Sequence, residues 1–124
     1  MSVLPAPADP THDLDGTRFT SLATPTRGST ETSVWQIEID PGVEPTPHSL
    51  TREEVFVVLG GVAAVEIDGH LTPAQAGDAI VVPAGVEFAL ANAGDQPLRL
   101  LCCLPVGGEA CLPDGTTFVP PWAT

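Results

Sequence analysis

Glycine and proline break this chain so often that no segment is left for a long helix. Together they supply 12 and 14 of the 124 residues, about a fifth, and both are poorly tolerated inside helices and strands. Between the breaks lie short apolar runs, several of which alternate. At 32–40, Trp35, Ile37 and Ile39 fall on one face while Gln36 and Glu38 fall on the other, the period-two pattern of a half-buried strand. Further strands are expected at 18–23, 54–59, 62–68, 70–72, 78–82, 87–92, 98–104 and 116–119. Gly60-Gly61 is expected to close a tight hairpin and Asp68-Gly69 to make another turn. Residues 105–115 read as a loop, and the Pro- and Asp-rich residues 1–16 as a loose arm before a single domain at 17–124. The expected class is all-β, an antiparallel sandwich or barrel.

The charge balance narrows the partners. Sixteen acidic residues face four basic ones, all arginine, for a formal charge of −12. Nucleic-acid binding needs a basic surface that displaces counterions, and an anionic membrane surface would repel this chain. No apolar run nears the ~20 residues of a spanning helix, and the first ten residues carry no basic or long apolar leader pattern. The expected location is the cytoplasm. Cys102, Cys103 and Cys111 lack a zinc-knuckle spacing, and adjacent cysteines on a strand make a poor disulfide. They read as small buried hydrophobes.

Three segments, 55–59, 80–82 and 100–104, are apolar on both faces. A barrel core covers one face, so the other needs a second layer or subunit, and a homodimer is expected. Trp122, stiffened by Pro120-Pro121, is expected either to cover the barrel mouth or to anchor that dimer.

Two spaced motifs carry a resemblance to a known family. Gly42, His48, Glu54 and Gly61 occupy the spacing G-x5-H-x-H-x3-E-x6-G, and Gly77, Pro83, Gly85 and Asn92 the spacing G-x5-P-x-G-x2-H-x3-N. In this order they resemble the two cupin motifs, over about residues 32–104. The resemblance implies a jelly-roll (double-stranded β-helix) barrel with an internal cavity. It also implies a metal held by two histidines and a glutamate of the first motif and a histidine of the second. Here the second histidine position is Leu50 and the last is Phe88, neither of which can donate a lone pair. His48 and Glu54 remain, fewer than the three or four donors such sites use. If Arg99 faces water, Leu98, Leu100, Cys102 and Leu104 face inward, and Cys102 could act as a third donor.

No cofactor is therefore expected, and the cavity is expected to be an apolar small-molecule site. His48 and Glu54 would be its catalytic pair. Trp35, Ile37, Leu50, Phe56, Phe88, Leu90 and Cys102 would bind the substrate. Glu53 and Arg52 should face solvent, as should His12 and His70. Three functions compete. The first is a metal-independent isomerase, cyclase or dehydratase acting on a small apolar or aromatic metabolite. The second is a non-catalytic binding or sensing protein. The third is a cupin enzyme using a divalent transition metal on an incomplete ligand set.

Overall fold

A computed structural model describes residues 1–124. Twelve strands and two three-residue 3-10 turns make up its regular structure, and no helix is long and apolar enough to cross a membrane. The strands are β1 (His12–Leu14), β2 (Thr17–Ala23), β3 (Thr32–Ile39), β4 (Ser49–Leu50), β5 (Glu54–Gly60), β6 (Val62–Ile67), β7 (His70–Gln75), β8 (Ala79–Val82), β9 (Phe88–Asn92), β10 (Leu98–Pro105), β11 (Ala110–Cys111) and β12 (Thr117–Phe118). One six-stranded sheet runs β1-β2-β3-β10-β5-β8, and two three-stranded sheets run β7-β6-β9 and β12-β11-β4. Every pairing is antiparallel. This is the expected all-β jelly roll.

Strand parity sorts the core. On β10, Leu98, Leu100, Cys102 and Leu104 are buried while Arg99 is exposed. On β5, Glu54, Phe56 and Val58 are buried while Val55 and Val57 are half-buried. Across the sheet, Cys102 sits opposite Trp35 on one side and Phe56 on the other. The apolar residues among these join Leu50 and Ala110 of one small sheet and Ala63, Val65 and Phe88 of the other in a single apolar cluster.

Three local expectations are corrected. Gly60-Gly61 does not close a hairpin: β5 pairs with β10 and β8, while β6 pairs with β7 and β9. The chain changes sheet there. Gly61 has φ +84°, and a Cβ on it would lie 2.8 Å from the Pro97 carbonyl oxygen. Glycine permits both the left-handed backbone and the close passage of another strand. The second correction concerns the arm. His12–Leu14 pairs with β2 through the two-residue connection Asp15-Gly16, so only the residues before it lack a strand. Third, the 105–115 loop contains β11, which pairs with β4 and β12.

Asp68-Gly69 does form a tight hairpin between β6 and β7, with φ of 52° and 79°, both central residues left-handed as in a type I′ turn. Strand β7 extends through Pro73 to Gln75, beyond the expected 70–72. It lies at its sheet's edge, where a missing N–H is tolerated.

Candidate functional site

The barrel holds a partly open cavity of about 300 Å³, and 15 of its 22 lining residues are hydrophobic. Strand β3 contributes Trp35 and Ile37, β4 Leu50, β5 Glu54 and Phe56, and β9 Phe88 and Leu90, with His48 on the segment before β4. Eight of the nine side chains expected at the site thus meet around one space. The ninth, Cys102, faces inward but is fully buried and does not line the cavity. Trp35 and Phe56 flank it on the neighbouring strands, and their larger side chains make up the wall. Glu53, Arg52 and His70 are exposed, as expected, and His12 is half-buried.

His48 is placed by its backbone. Its N–H donates to the Phe88 carbonyl at 3.0 Å, and the Phe88 N–H donates back at 2.9 Å. The two rings consequently stand 4.5 Å apart, tilted by 50°, and Phe88 in turn meets Phe56 edge-on at 5.8 Å. Nδ1 of His48 lies 2.9 Å from the Thr46 carbonyl oxygen. A carbonyl can only accept, so Nδ1–H donates, and Nε2 of the neutral ring carries the free lone pair.

Glu54 is only 4% exposed. Burial alone pushes its carboxyl pKa up to about 8, with no hydrogen bond or neighbouring charge contributing. Removing water disfavours the carboxylate, so the group stays protonated at neutral pH. No ion pair or hydrogen bond joins His48 and Glu54. The ion pairs of the chain are both made by Arg18, to Glu38 and Asp40. His48 turns its Nδ1 to Thr46, and Glu54 stands alone. They line the same cavity without forming a pair.

A second unpartnered polar group belongs to the wall. The indole Nε1 of Trp35 is buried with no hydrogen-bond partner, and Trp35 itself is 1% exposed. Native structures seldom leave such a donor unsatisfied. The remaining charged lining residue is Glu44, and no arginine lines the cavity.

The metal site implied by the motifs does not fit these residues. Leu50 and Phe88 fill two of its four positions with hydrocarbon. Nε2 of His48 and the Glu54 carboxyl are left as two donors, fewer than the three or four such sites use. Cys102 is no substitute, since no group of three or more His, Cys, Asp or Glu is placed to hold a metal ion.

Sequence reasoning missed Phe19 and Phe118 as lining residues. Trp122 stacks on Phe19 with centroids 3.6 Å apart and planes within 8°, and both line the cavity together with Phe118. Two hydroxyls hold this tail down: Ser21 Oγ donates to the Trp122 carbonyl and Ser33 Oγ to that of Ala123, each at 2.7 Å. Of the two roles left open for Trp122, it takes that of a cover over its own barrel. The signal was the Pro-Pro-Trp run, but nothing in it names Phe19 as the partner.

Comparison with known proteins agrees with this architecture. An uncharacterised protein of Methanocaldococcus jannaschii is 32% identical over 53 residues, spanning 43% of this chain and 42% of that protein. This chain therefore spans less than half of that curated relative. Among solved structures, the polyketide cyclase RemF from Streptomyces resistomycificus superposes with a TM-score of 0.70 at 20% identity, over 95% of this chain and 82% of its own. A putative ethanolamine utilization protein Q from Salmonella typhimurium gives 0.62 at 25% identity, over 74% and 75%. Oxalate decarboxylase from Bacillus subtilis, a protein with Mn(II) centres, gives 0.67 at 24% identity, over 79% of this chain and 28% of its own. The family model of the cupin domain matches residues 35–104, which is 70 of 124 residues and includes both motifs around the cavity: the chain belongs to the cupin family.

Proposed function

We propose that this cupin binds a small, largely apolar or aromatic metabolite and acts on it without a metal, as an isomerase, cyclase or dehydratase. The observation that carries this reading is Glu54: a carboxyl buried without a partner, protonated at neutral pH, on the wall of an apolar cavity. Such groups serve as acids where water is excluded. The second half of the chemistry falls to Nε2 of His48, left as the acceptor by the Thr46 bond. A substrate spanning the two gives a C–H proton to Nε2 while its carbonyl oxygen takes the Glu54 proton. The product is an enol, and return of the protons at other atoms completes an isomerisation, or sets up ring closure or loss of water. The fold likeness to a polyketide cyclase is compatible with this class of substrate.

Solvent-deuterium exchange into the methyl group of acetylnaphthalene, an enolisable aromatic ketone, tests the reading. The protein should accelerate exchange, and Glu54→Gln and His48→Ala should each return it to the buffer rate. Exchange at the buffer rate with the unaltered chain, despite saturable binding, would contradict catalysis. That result would leave the second reading, a cupin that binds or senses its ligand without turnover. The separation of His48 and Glu54 into two unconnected groups is the feature that favours it.

The reading includes a homodimer. Val34, Val55, Val57, Leu101 and Cys103 are half-buried and Val81 exposed. They are on the outward side of strands β3, β5, β8 and β10, opposite the buried core residues, and a second copy would cover them. Light scattering should give twice the chain mass of 12.8 kDa, and Val57→Glu should return it to the monomer value. A monomer at micromolar concentration of the unaltered chain would contradict it.

A further inference from the structure

The cavity has polar features that its apolar walls make selective. Its ionisable lining residues are Glu44, His48 and Glu54, and no arginine reaches it. The chain has no lysine and only four arginines, of which Arg18 is committed to Glu38 and Asp40. A ligand carboxylate would therefore find no arginine or lysine and would face two acidic residues. One hydrogen-bond donor of the wall, by contrast, lacks a partner: the carboxyl of Glu54, 4% exposed and with no hydrogen bond contributing to its state. A buried donor left unmade is costly, and a ligand acceptor that completes it recovers that cost.

We propose that the cavity selects an uncharged aromatic ligand bearing a carbonyl-type oxygen, which accepts from the Glu54 carboxyl, and that it rejects carboxylates. The proposal rests on the small-molecule reading above and adds the charge and polarity of the ligand. The flat surfaces of Trp35, Phe56 and Phe88 suit an aromatic body. A volume of about 300 Å³ is at the lower end of small-molecule sites, room for roughly one or two fused rings.

The same geometry makes recognition depend on the proton of Glu54. The titratable groups on the elements around it are Cys102 and Cys103 on β10 and, on the segment before β4, His48 and Glu44; β3, β8 and β9 present none toward it. Ionised Glu54 raises both thiols' pKa further, so neither thiol supplies a compensating charge. Above about pH 8 Glu54 loses its proton, and it can then only accept. A ketone oxygen also only accepts, and the pairing is lost.

Three probes of one shape separate the possibilities: acetylnaphthalene, naphthoate and ethylnaphthalene. Binding to the whole protein is read from the fluorescence of Trp35 and Trp122, both of which line the cavity. Well below pH 8 the ketone should bind at least about ten-fold more tightly than either naphthoate or ethylnaphthalene. Its advantage over ethylnaphthalene should vanish in Glu54→Leu. Above pH 8 it should vanish in the unaltered chain and persist in Glu54→Gln, whose amide donates at any pH. Naphthoate binding as tightly as the ketone, or a ketone advantage that survives Glu54→Leu, would overturn the proposal while leaving the small-molecule site standing. Failure of all three probes to bind would overturn both.

Discussion

Two carboxyl groups of the six-stranded sheet's strands and their ends meet opposite fates. Asp40 follows the end of β3 and accepts from Arg18 at 2.6 Å, beside Glu38 at 2.7 Å. The guanidinium holds its pKa below the ordinary value. Glu54 begins β5 on the inward side, has no such neighbour, and is pushed up to about 8. One is a charge kept in water with a counter-charge; the other is an acid kept neutral by isolation. The first arrangement joins neighbouring strands on the surface, where ion pairs add little. The second puts a polar group in the apolar interior with nothing inside the protein to justify it, which is what a site awaiting a ligand looks like.

Changing Glu54 should have the largest effect on this contrast. Its pKa is higher folded than unfolded, so between the ordinary value of 4.5 and about 8 the folded state binds more protons. Stability is then fully present below pH 4.5 and declines as pH rises through about 8. Glu54→Leu should remove the decline and raise stability above pH 8 by on the order of a few kcal/mol, measured by urea unfolding across that range. A pH profile unchanged by the substitution would mean that Glu54 is not the source.

Next in size is the restoration of a metal site. Leu50→His with Phe88→His rebuilds the donor set that the motif spacing implies. Elemental analysis should move from well under one equivalent of transition metal in the unaltered chain to near one in the double variant. Metal at about a hundred-fold over its Kd should stabilise that variant by about 2.7 kcal/mol. Near-stoichiometric metal in the unaltered chain would contradict the isolation of Glu54.

A smaller effect is expected at the cover. Trp122→Ala removes the stack on Phe19 and should cost about 1–2 kcal/mol, less than a fully buried aromatic because Trp122 is half-exposed. Water admitted to the cavity should lower the Glu54 pKa toward the ordinary range, so the pH at which stability declines should fall. A cover that leaves the pH profile untouched does not shield Glu54. The smallest effect is predicted for Arg18→Ala. It should lower the melting temperature slightly, and raised salt should shrink the difference. A loss rivalling that of the interior changes would show that the surface network does more than its exposure implies.

Much of this contrast was legible in the sequence. The alternation at Trp35, Ile37 and Ile39 and at Glu54, Phe56 and Val58 fixes which side chains face inward, because strand parity is local. The two motifs brought His48 and Phe88 into one neighbourhood, where they share a pair of backbone hydrogen bonds. What lay outside the sequence was long-range. Gly60-Gly61 reads as a hairpin because a turn signal does not say which sheet the next strand joins. Asp15-Gly16 has the same form as Asp68-Gly69, but the Pro-rich residues before it masked the short strand β1. Spacing placed His48 and Glu54 on one cavity without revealing that the His48 ring turns to Thr46. The stack of Trp122 on Phe19 joins residues far apart in the chain, beyond any local pattern.

The central claim is that Glu54 is a neutral acid inside the cavity. Carbon-13 NMR of its side-chain carboxyl, titrated against pH in the whole protein and assigned with Glu54→Gln, tests it most directly. The account predicts a midpoint near 8, while the exposed carboxyls titrate in the acid range. A Glu54 midpoint near the ordinary 4.5 would contradict it.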